Sequence, residues 1–449
     1  MIRLLAVAAI VTLSAASALG ASIPPHCTTF AGSDGASILV GNNEDCGNPV
    51  INLWFLPADG ERYGRFLIGT EGTIQGGMNE QGLVFDSLAI PLVGVPFNDR
   101  PLYDGMWSVR ALETCATVEE VVAFYEAYAM PGPWTSKLFF ADATGDAVLL
   151  EGNAVVRKEE RFLVSTNFLQ SETAPEGITC ERFLSATASL EGHDVYSAEL
   201  FRDILDAVHV KYDDGAGTVY STIYDLGARS ITCYLYADFE HPIVFDLGSE
   251  LAAGARAWKL DHLLTDNEAF YAWRDRKLET FARQMASSQE SPVHPESFRA
   301  YTGQYAVQGE PILNPPATLS SVSIVPVGNR LSLVACPESI SYELFPVRGD
   351  QFRVATLSNS PDLDVAFLRA DDGAVTGMRL VAAGAEYTLD RVGGEPKFEP
   401  LEEFMAELPT LGDGLVGPVL ESGRRRSVWI GALALAAGLV ALVVALSLP

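Results

Sequence analysis

The stretch Pro24-Pro25-His26-Cys27-Thr28-Thr29-Phe30, followed by Gly41-Asn42-Asn43-Glu44-Asp45, decides how this chain is read. Cys27 stands just past an export signal. Residues 1–21 combine Arg3, an apolar run from Leu4 to Leu13 and small residues from Ala15 to Ala21, the pattern of a signal peptide. Signal peptidase needs small residues at its cut, so it leaves a short propeptide, 22–26, and does not free Cys27 from Pro-Pro-His. Trimming through two prolines is disfavoured, and a lipoprotein site needs a small residue where His26 stands. The economical route to a free Cys27 is attack of its own thiol on the preceding carbonyl. That cut leaves an α-amino group with a reference pKa of about 7.7–8.0, so one residue would supply both nucleophile and general base. A disulfide partner or a buried structural cysteine is the bland alternative.

Composition limits the partners. The chain has 449 residues, enough for two or three domains, and is 48% hydrophobic and 20% charged, which argues against extensive disorder. With 30 Lys+Arg against 58 Asp+Glu its formal charge is -28, and no basic patch offsets this, so nucleic-acid binding is not expected. The six cysteines are widely spaced without a CxxC pair and the six histidines form no HExxH, so neither a metal site nor a cofactor is expected. Export permits disulfides, but reserving Cys27 leaves five cysteines, so at least one thiol should stay unpaired. Val428 to Leu448 is nearly continuous apolar sequence preceded by Arg424, Arg425 and Arg426. Residues 427–448 are long enough to span a bilayer, and read as a transmembrane anchor or a sorting segment removed after export. The expected location is extracytoplasmic, with the membrane as partner through that segment.

Residues 27–290 read as one α+β domain. Strands are predicted over 37–41, 50–56, 137–142, 146–151, 161–166, 218–224 and 230–236, and helices over 104–113, 117–129, 181–190, 197–209 and 267–286. Thr117 with Glu120 forms a capping box, and Ser33-Asp34-Gly35 and Thr144-Gly145-Asp146 mark turns. Strands interspersed with helix pairs suggest a layered α+β fold rather than a doubly wound sheet. From 298 to 393 short β runs separated by Gly, Asp, Pro and Asn predict an all-β module, a sandwich or small barrel. It could cover a site, aid dimerisation or act as a spacer. Residues 394–426 read as a linker.

Six blocks, in order, carry a resemblance. They are Cys27-Thr28-Thr29-Phe30 with Gly41-Asn42-Asn43-Glu44-Asp45; Gly77-Met78-Asn79-Glu80-Gln81-Gly82-Leu83; Ala141-Asp142-Ala143-Thr144-Gly145-Asp146 with Glu151; Val164-Ser165-Thr166-Asn167; Glu181-Arg182-Phe183; and Thr218-Val219-Tyr220-Ser221-Thr222-Ile223-Tyr224-Asp225. Together they resemble the choloylglycine hydrolase family, linear amide C–N hydrolases of the N-terminal-nucleophile superfamily that include bile-salt hydrolases and penicillin V acylases. The resemblance spans about residues 27–245 and implies a four-layer αββα fold.

The resemblance also implies roles. Cys27 matches the nucleophile, and Asp45 the aspartate that holds the nucleophile's amine and thiol. Asn167 matches an asparagine that donates to the oxyanion, and Arg182 an arginine that braces the site by ion pairing. Two positions depart from the bile-salt branch: Asn42 where it has arginine, and Ala89 where it has a second oxyanion asparagine. A backbone N–H could serve at Ala89. The implied reaction is cleavage of a linear, non-peptide amide in a small-molecule substrate through an acyl-Cys27 thioester. An acyltransferase or dipeptidase on the same fold, or a surface protein that binds a ligand without turnover, is the alternative. Whether the chain forms a homo-oligomer stays open.

Overall fold

A computed structural model describes residues 27–396 except 212–214, 289–294, 328–329, 337–339, 355, 358–362, 383–384 and 394–395. The expected signal, the propeptide and the apolar segment Val428 to Leu448 lie outside the described residues, as does most of the linker. Among the described residues no helix is long and apolar enough to cross a membrane.

Two antiparallel sheets face each other. The first has six strands in the order Phe162–Ser165, Thr28–Ser33, Ile38–Cys46, Gly217–Asp225, Ser230–Leu235 and Ile243–Asp246. The second runs Ala154–Arg157, Ala147–Glu151, Gly132–Ala141, Val84–Val95, Thr73–Asn79, Arg65–Thr70, Ile51–Leu56 and Arg256–Lys259. Between them lies an apolar layer that includes Val40, Phe55, Phe66, Ile68, Leu88, Phe139, Tyr220 and Ile231. The outer face of the first sheet, through Phe30, Leu39 and Ile223, packs on helices Glu181–Glu191 and Ala198–Val208. The outer face of the second, through Trp54, Leu67, Phe85 and Phe140, packs on helices Trp107–Thr114 and Val118–Ala127. This is the expected αββα layering, and it follows from period-2 side-chain direction: Leu53 and Phe55 point inward while Trp54 and Leu56 point outward.

Because both faces of the second sheet are covered, its strands carry no polar alternation. Five of them, Arg65–Thr70, Thr73–Asn79, Val84–Val95, Ala154–Arg157 and Arg256–Lys259, are absent from the sequence-based expectation. Glycines added to the difficulty. Gly77 sits where a Cβ would lie 2.3 Å from the Phe66 carbonyl oxygen, so close strand approach requires it. The capping box forms with a shift: Thr117 Oγ1 accepts from the Glu120 N–H at 3.2 Å, and the Glu120 carboxylate accepts from Ala116 at 2.6 Å, one residue before the cap.

The all-β module is a closed barrel. Strands Gly303–Val307, Ser321–Val327, Arg330–Cys336, Ile340–Arg348, Gln351–Val354, Leu363–Arg369, Val375–Ala382 and Ala385–Val392 pair in succession, and the last pairs back onto the first. Eight strands enclose a space that side chains can fill. Tyr301, Tyr305, Phe352 and Phe367 occupy it, with the Tyr301 and Phe367 rings 4.4 Å apart. The barrel core is continuous with the layer around Trp107, on the side of the second sheet turned away from Cys27.

Candidate active site

The first two strands set the site. Their register pairs Thr28 with Asn43 and Thr29 with Asn42, so one step further Cys27 lies opposite Glu44. Alternation sorts these side chains. Cys27, Thr29 and Ala31 face the second sheet, as do Val40, Asn42 and Glu44; Thr28, Phe30, Asn43 and Asp45 take the helix-facing side. On the next strand a bulge between Thr218 and Tyr220 adds one residue, which bends the backbone beside Asp45.

The four residues singled out in the sequence lie together, and one of them, Arg182, links Cys27 to Asn167. From the first turn of its helix, Arg182 Nη1 donates to the Cys27 carbonyl at 2.7 Å and to Thr28 Oγ1 at 2.6 Å, while Nη2 donates to Asn167 Oδ1 at 3.1 Å. Asn167 Nδ2 then donates to the Ala89 carbonyl at 2.8 Å. That uses one of its two amide hydrogens and leaves the other for a ligand. The strand ladder breaks just beyond Ala89, where the register shifts before Val93. Asp45 accepts from the Thr218 hydroxyl through Oδ1; its Oδ2 is buried without a hydrogen bond.

A buried ion pair holds the Asn167 segment. Lys137 and Glu151 are cross-strand neighbours, both fully buried, with Nζ to Oε1 at 2.9 Å. Lys137 also donates to the Phe168 carbonyl at 2.8 Å and to Gln170 Oε1 at 3.3 Å. Glu151 accepts from the N–H of Gln170 at 3.1 Å and of Ser171 at 2.8 Å. Burial alone would raise the Glu151 carboxyl, but the Lys137 charge and these N–H donors overcome it and hold it below its usual range.

The electrostatics around Cys27 are unusual. Burial raises its thiol well above the ordinary range, and the charges of Glu44, Asp45 and Asp86 raise it further, against the single Asp45 N–H. Burial likewise pushes Asp45 and Asp86 up to about 7. Glu44 is raised well above the usual carboxylate value by burial, then by the charges of Asp86 and Asp45. Gln75 donates to Glu44 Oε1 at 2.6 Å, and Glu44 Oε2 is buried without a hydrogen bond. Asp86, from the second sheet, accepts from the Thr29 hydroxyl and, at 2.9 Å, from the Ser87 N–H. Among the described residues no group of three or more His, Cys, Asp and Glu is arranged to hold a metal ion.

Sequence reasoning gave no role to Glu44 or Asp86. The available signal was an acidic residue at an inward-facing position within an apolar strand, as Asp86 is between Phe85 and Leu88, since acids are rarely buried without a reason. Other quoted blocks proved to be structural. Asn79 spends its whole amide on the Gln81 and Leu83 N–H groups and the Leu112 and Cys115 carbonyls, tying a turn to a helix end. Asp142 organises the turn before Asp146 and accepts the Val118 N–H at 2.7 Å. Asn42, at the first departure, accepts from Thr29 at 3.2 Å within the inter-sheet layer. Among the described residues no two cysteines are joined in a disulfide.

The fold is similar to that of a solved penicillin V acylase from Agrobacterium tumefaciens, with a TM-score of 0.42 and 17% identity over 52% of this chain and 91% of that one. It is also similar to two variants of the conjugated bile acid hydrolase from Clostridium perfringens. Their TM-scores are 0.41 and 0.40, each at 16% identity over 52% of this chain and 97% or 96% of theirs. No family model and no curated protein matches the chain.

Proposed function

We propose that this chain is a cysteine N-terminal-nucleophile amidase that cleaves a linear, non-peptide amide. The observation that carries this reading is the reach of Arg182, whose one guanidinium spans the Cys27 carbonyl, Thr28 and Asn167. Cys27 becomes the first residue by cleavage of the His26–Cys27 bond. Its free amine takes the thiol proton, the thiolate attacks the substrate carbonyl, and the second amide hydrogen of Asn167 donates to the oxyanion. The leaving amine takes up the proton, and water resolves the acyl-Cys27 thioester. Asp45 acts as counter-ion to the Cys27 ammonium, and its unpartnered Oδ2 supports that role. In the same reading residues 1–21 export the chain and residues 427–448 tether it outside the cytoplasm, on the composition of those segments.

The test is intact mass, N-terminal sequencing and an amide-substrate panel, applied to wild type and Cys27→Ala. Wild type should begin at Cys27 and release free acid and amine, whereas Cys27→Ala should keep upstream residues and be inert. An active protein that retains residues before Cys27 would sink the proposal. Release of a new amide when an amine acceptor is added would point to acyl transfer.

A further inference from the structure

We propose that Glu44 is the base for self-cleavage: it takes the Cys27 thiol proton and returns it to the Cys27 nitrogen as the His26–Cys27 bond breaks. This rests on the reading of Cys27 as a self-exposed nucleophile. Before the cut, the Cys27 nitrogen belongs to a peptide bond and cannot accept a proton, so the base of the mature site does not yet exist. Another acceptor must stand beside the thiol.

Glu44 has the position and the vacancy. The strand register places it opposite Cys27 on the same face of the sheet, and its carboxylate adjoins the thiol. Its Oε1 is held by Gln75, while Oε2 is buried and unpartnered. The other two carboxylates are less suited. Both oxygens of Asp86 are engaged, by Thr29 and by the Ser87 N–H. Asp45 is the neighbour of Glu44 on its own strand, but its side chain takes the opposite face, against Thr218. The remaining titratable groups that bear on Glu44 are Tyr220 and Tyr224 from strand Gly217–Asp225 and Cys46 from its own strand. Burial holds those hydroxyls and that thiol in their neutral forms.

The step balances. The S–H bond breaks and its proton goes to Glu44; the sulfur forms a C–S bond with the His26 carbonyl carbon. The C–N bond to Cys27 then breaks, and Glu44 delivers the proton to the departing nitrogen. Water hydrolyses the resulting thioester, which frees the thiol and leaves a carboxylate on His26.

The experiment follows self-cleavage of the full chain by intact mass for wild type, Glu44→Gln and Glu44→Asp. A positioned base typically contributes on the order of 10²–10⁴-fold, so Glu44→Gln should cleave at least about 100-fold more slowly, with partial rescue in Glu44→Asp. In parallel, Ile-Glu-Gly-Arg replaces residues 23–26, so that a protease cutting after that sequence exposes Cys27 without self-cleavage. In the chain opened this way, Glu44→Gln should lose far less amide turnover than it lost self-cleavage. Equal losses in the two assays, or self-cleavage of Glu44→Gln at the wild-type rate, would overturn the role of Glu44 while leaving Cys27 as the nucleophile. Wild type that never cleaves would overturn the reading of Cys27 and this inference with it. Circular dichroism of each variant separates a lost base from a lost fold, and a misfolded Glu44→Gln shifts the decision to Glu44→Asp, whose wild-type cleavage rate would count against the proposal.

Discussion

Replacing Lys137 by Met removes the ammonium that neutralises Glu151 where both side chains are fully buried. It also deletes the bonds from Nζ to the Phe168 carbonyl and to Gln170 Oε1. Breaking one side of a buried pair costs about 3–5 kcal/mol, because the remaining charge is left without its partner. The two N–H donors that stay on Glu151 place the expected loss near the lower end, about 3 kcal/mol. Lys137→Met combined with Glu151→Gln leaves no orphan charge, so the double variant should be more stable than Lys137→Met alone. Urea unfolding followed by tryptophan fluorescence reads both numbers. Amide hydrogen exchange at Gln170 and Ser171 should accelerate in the single variant, since their acceptor loses its anchor. A loss below about 1 kcal/mol, the range of an exposed pair, would refute the reasoning, as would a double variant less stable than the single.

Two further outcomes follow from the same geometry. Arg182→Met removes three charge-assisted hydrogen bonds; about 3–4 kcal/mol of lost positioning corresponds to a fall of roughly 10²–10³-fold in kcat/KM on whichever amide the enzyme accepts, and Arg182→Lys should not restore it because an ammonium cannot fork to Cys27 and Asn167 together. The uncut Cys27→Ala chain should be more stable at pH 5 than at pH 8. Burial raises Asp45, Glu71 and Asp86 from ordinary carboxylate values to about 7. A raised folded-state pKa means the fold binds protons more tightly than the unfolded chain, so stability present below the unfolded value is lost as pH rises through about 7. The loss is on the order of 2 kcal/mol per group before coupling. Thermal midpoints across pH 5–8 check this, and Asp86→Asn should flatten the slope; a midpoint that climbs with pH would contradict it.

Four of the first sheet's strands, Phe162–Ser165, Ile38–Cys46, Gly217–Asp225 and Ser230–Leu235, were legible because they carry β-branched and aromatic runs near clear turns, such as Ser33-Asp34-Gly35 before Ile38, whereas Thr28–Ser33 and Ile243–Asp246 were not expected. The four candidate residues were legible as motif positions, and Arg182 does reach Cys27 and Asn167. What stayed hidden depends on registers that local sequence does not encode. Glu44 acquires its meaning only when the ladder sets it opposite Cys27, and Asp86 only when a strand of the other sheet carries it across. Closure of the barrel was hidden for the same reason. It depends on Ala385–Val392 pairing with Gly303–Val307, some eighty residues earlier, whereas a sandwich would have drawn on the same short runs.

Three carboxylates around a buried thiol are a poor setting for a nucleophile, since each opposes formation of the thiolate. The cut proposed at Cys27 would reverse that balance at one atom. It would turn a neutral peptide nitrogen into an amine that can carry a positive charge next to its own sulfur and on the strand beside Asp45. At an effective dielectric constant of about 20, two unit charges about 4 Å apart interact by about 4 kcal/mol, or some three pKa units. Asp45 would then serve as counter-ion to the ammonium, and part of the excess negative charge would be offset. Before the cut, on the same proposal, the thiol would react only at the adjoining His26 carbonyl, where Glu44 takes its proton. On this account the acidic surroundings of Cys27 restrain the nucleophile until maturation, and the unpartnered oxygens of Glu44 and Asp45 mark where the proton and then the ammonium are received.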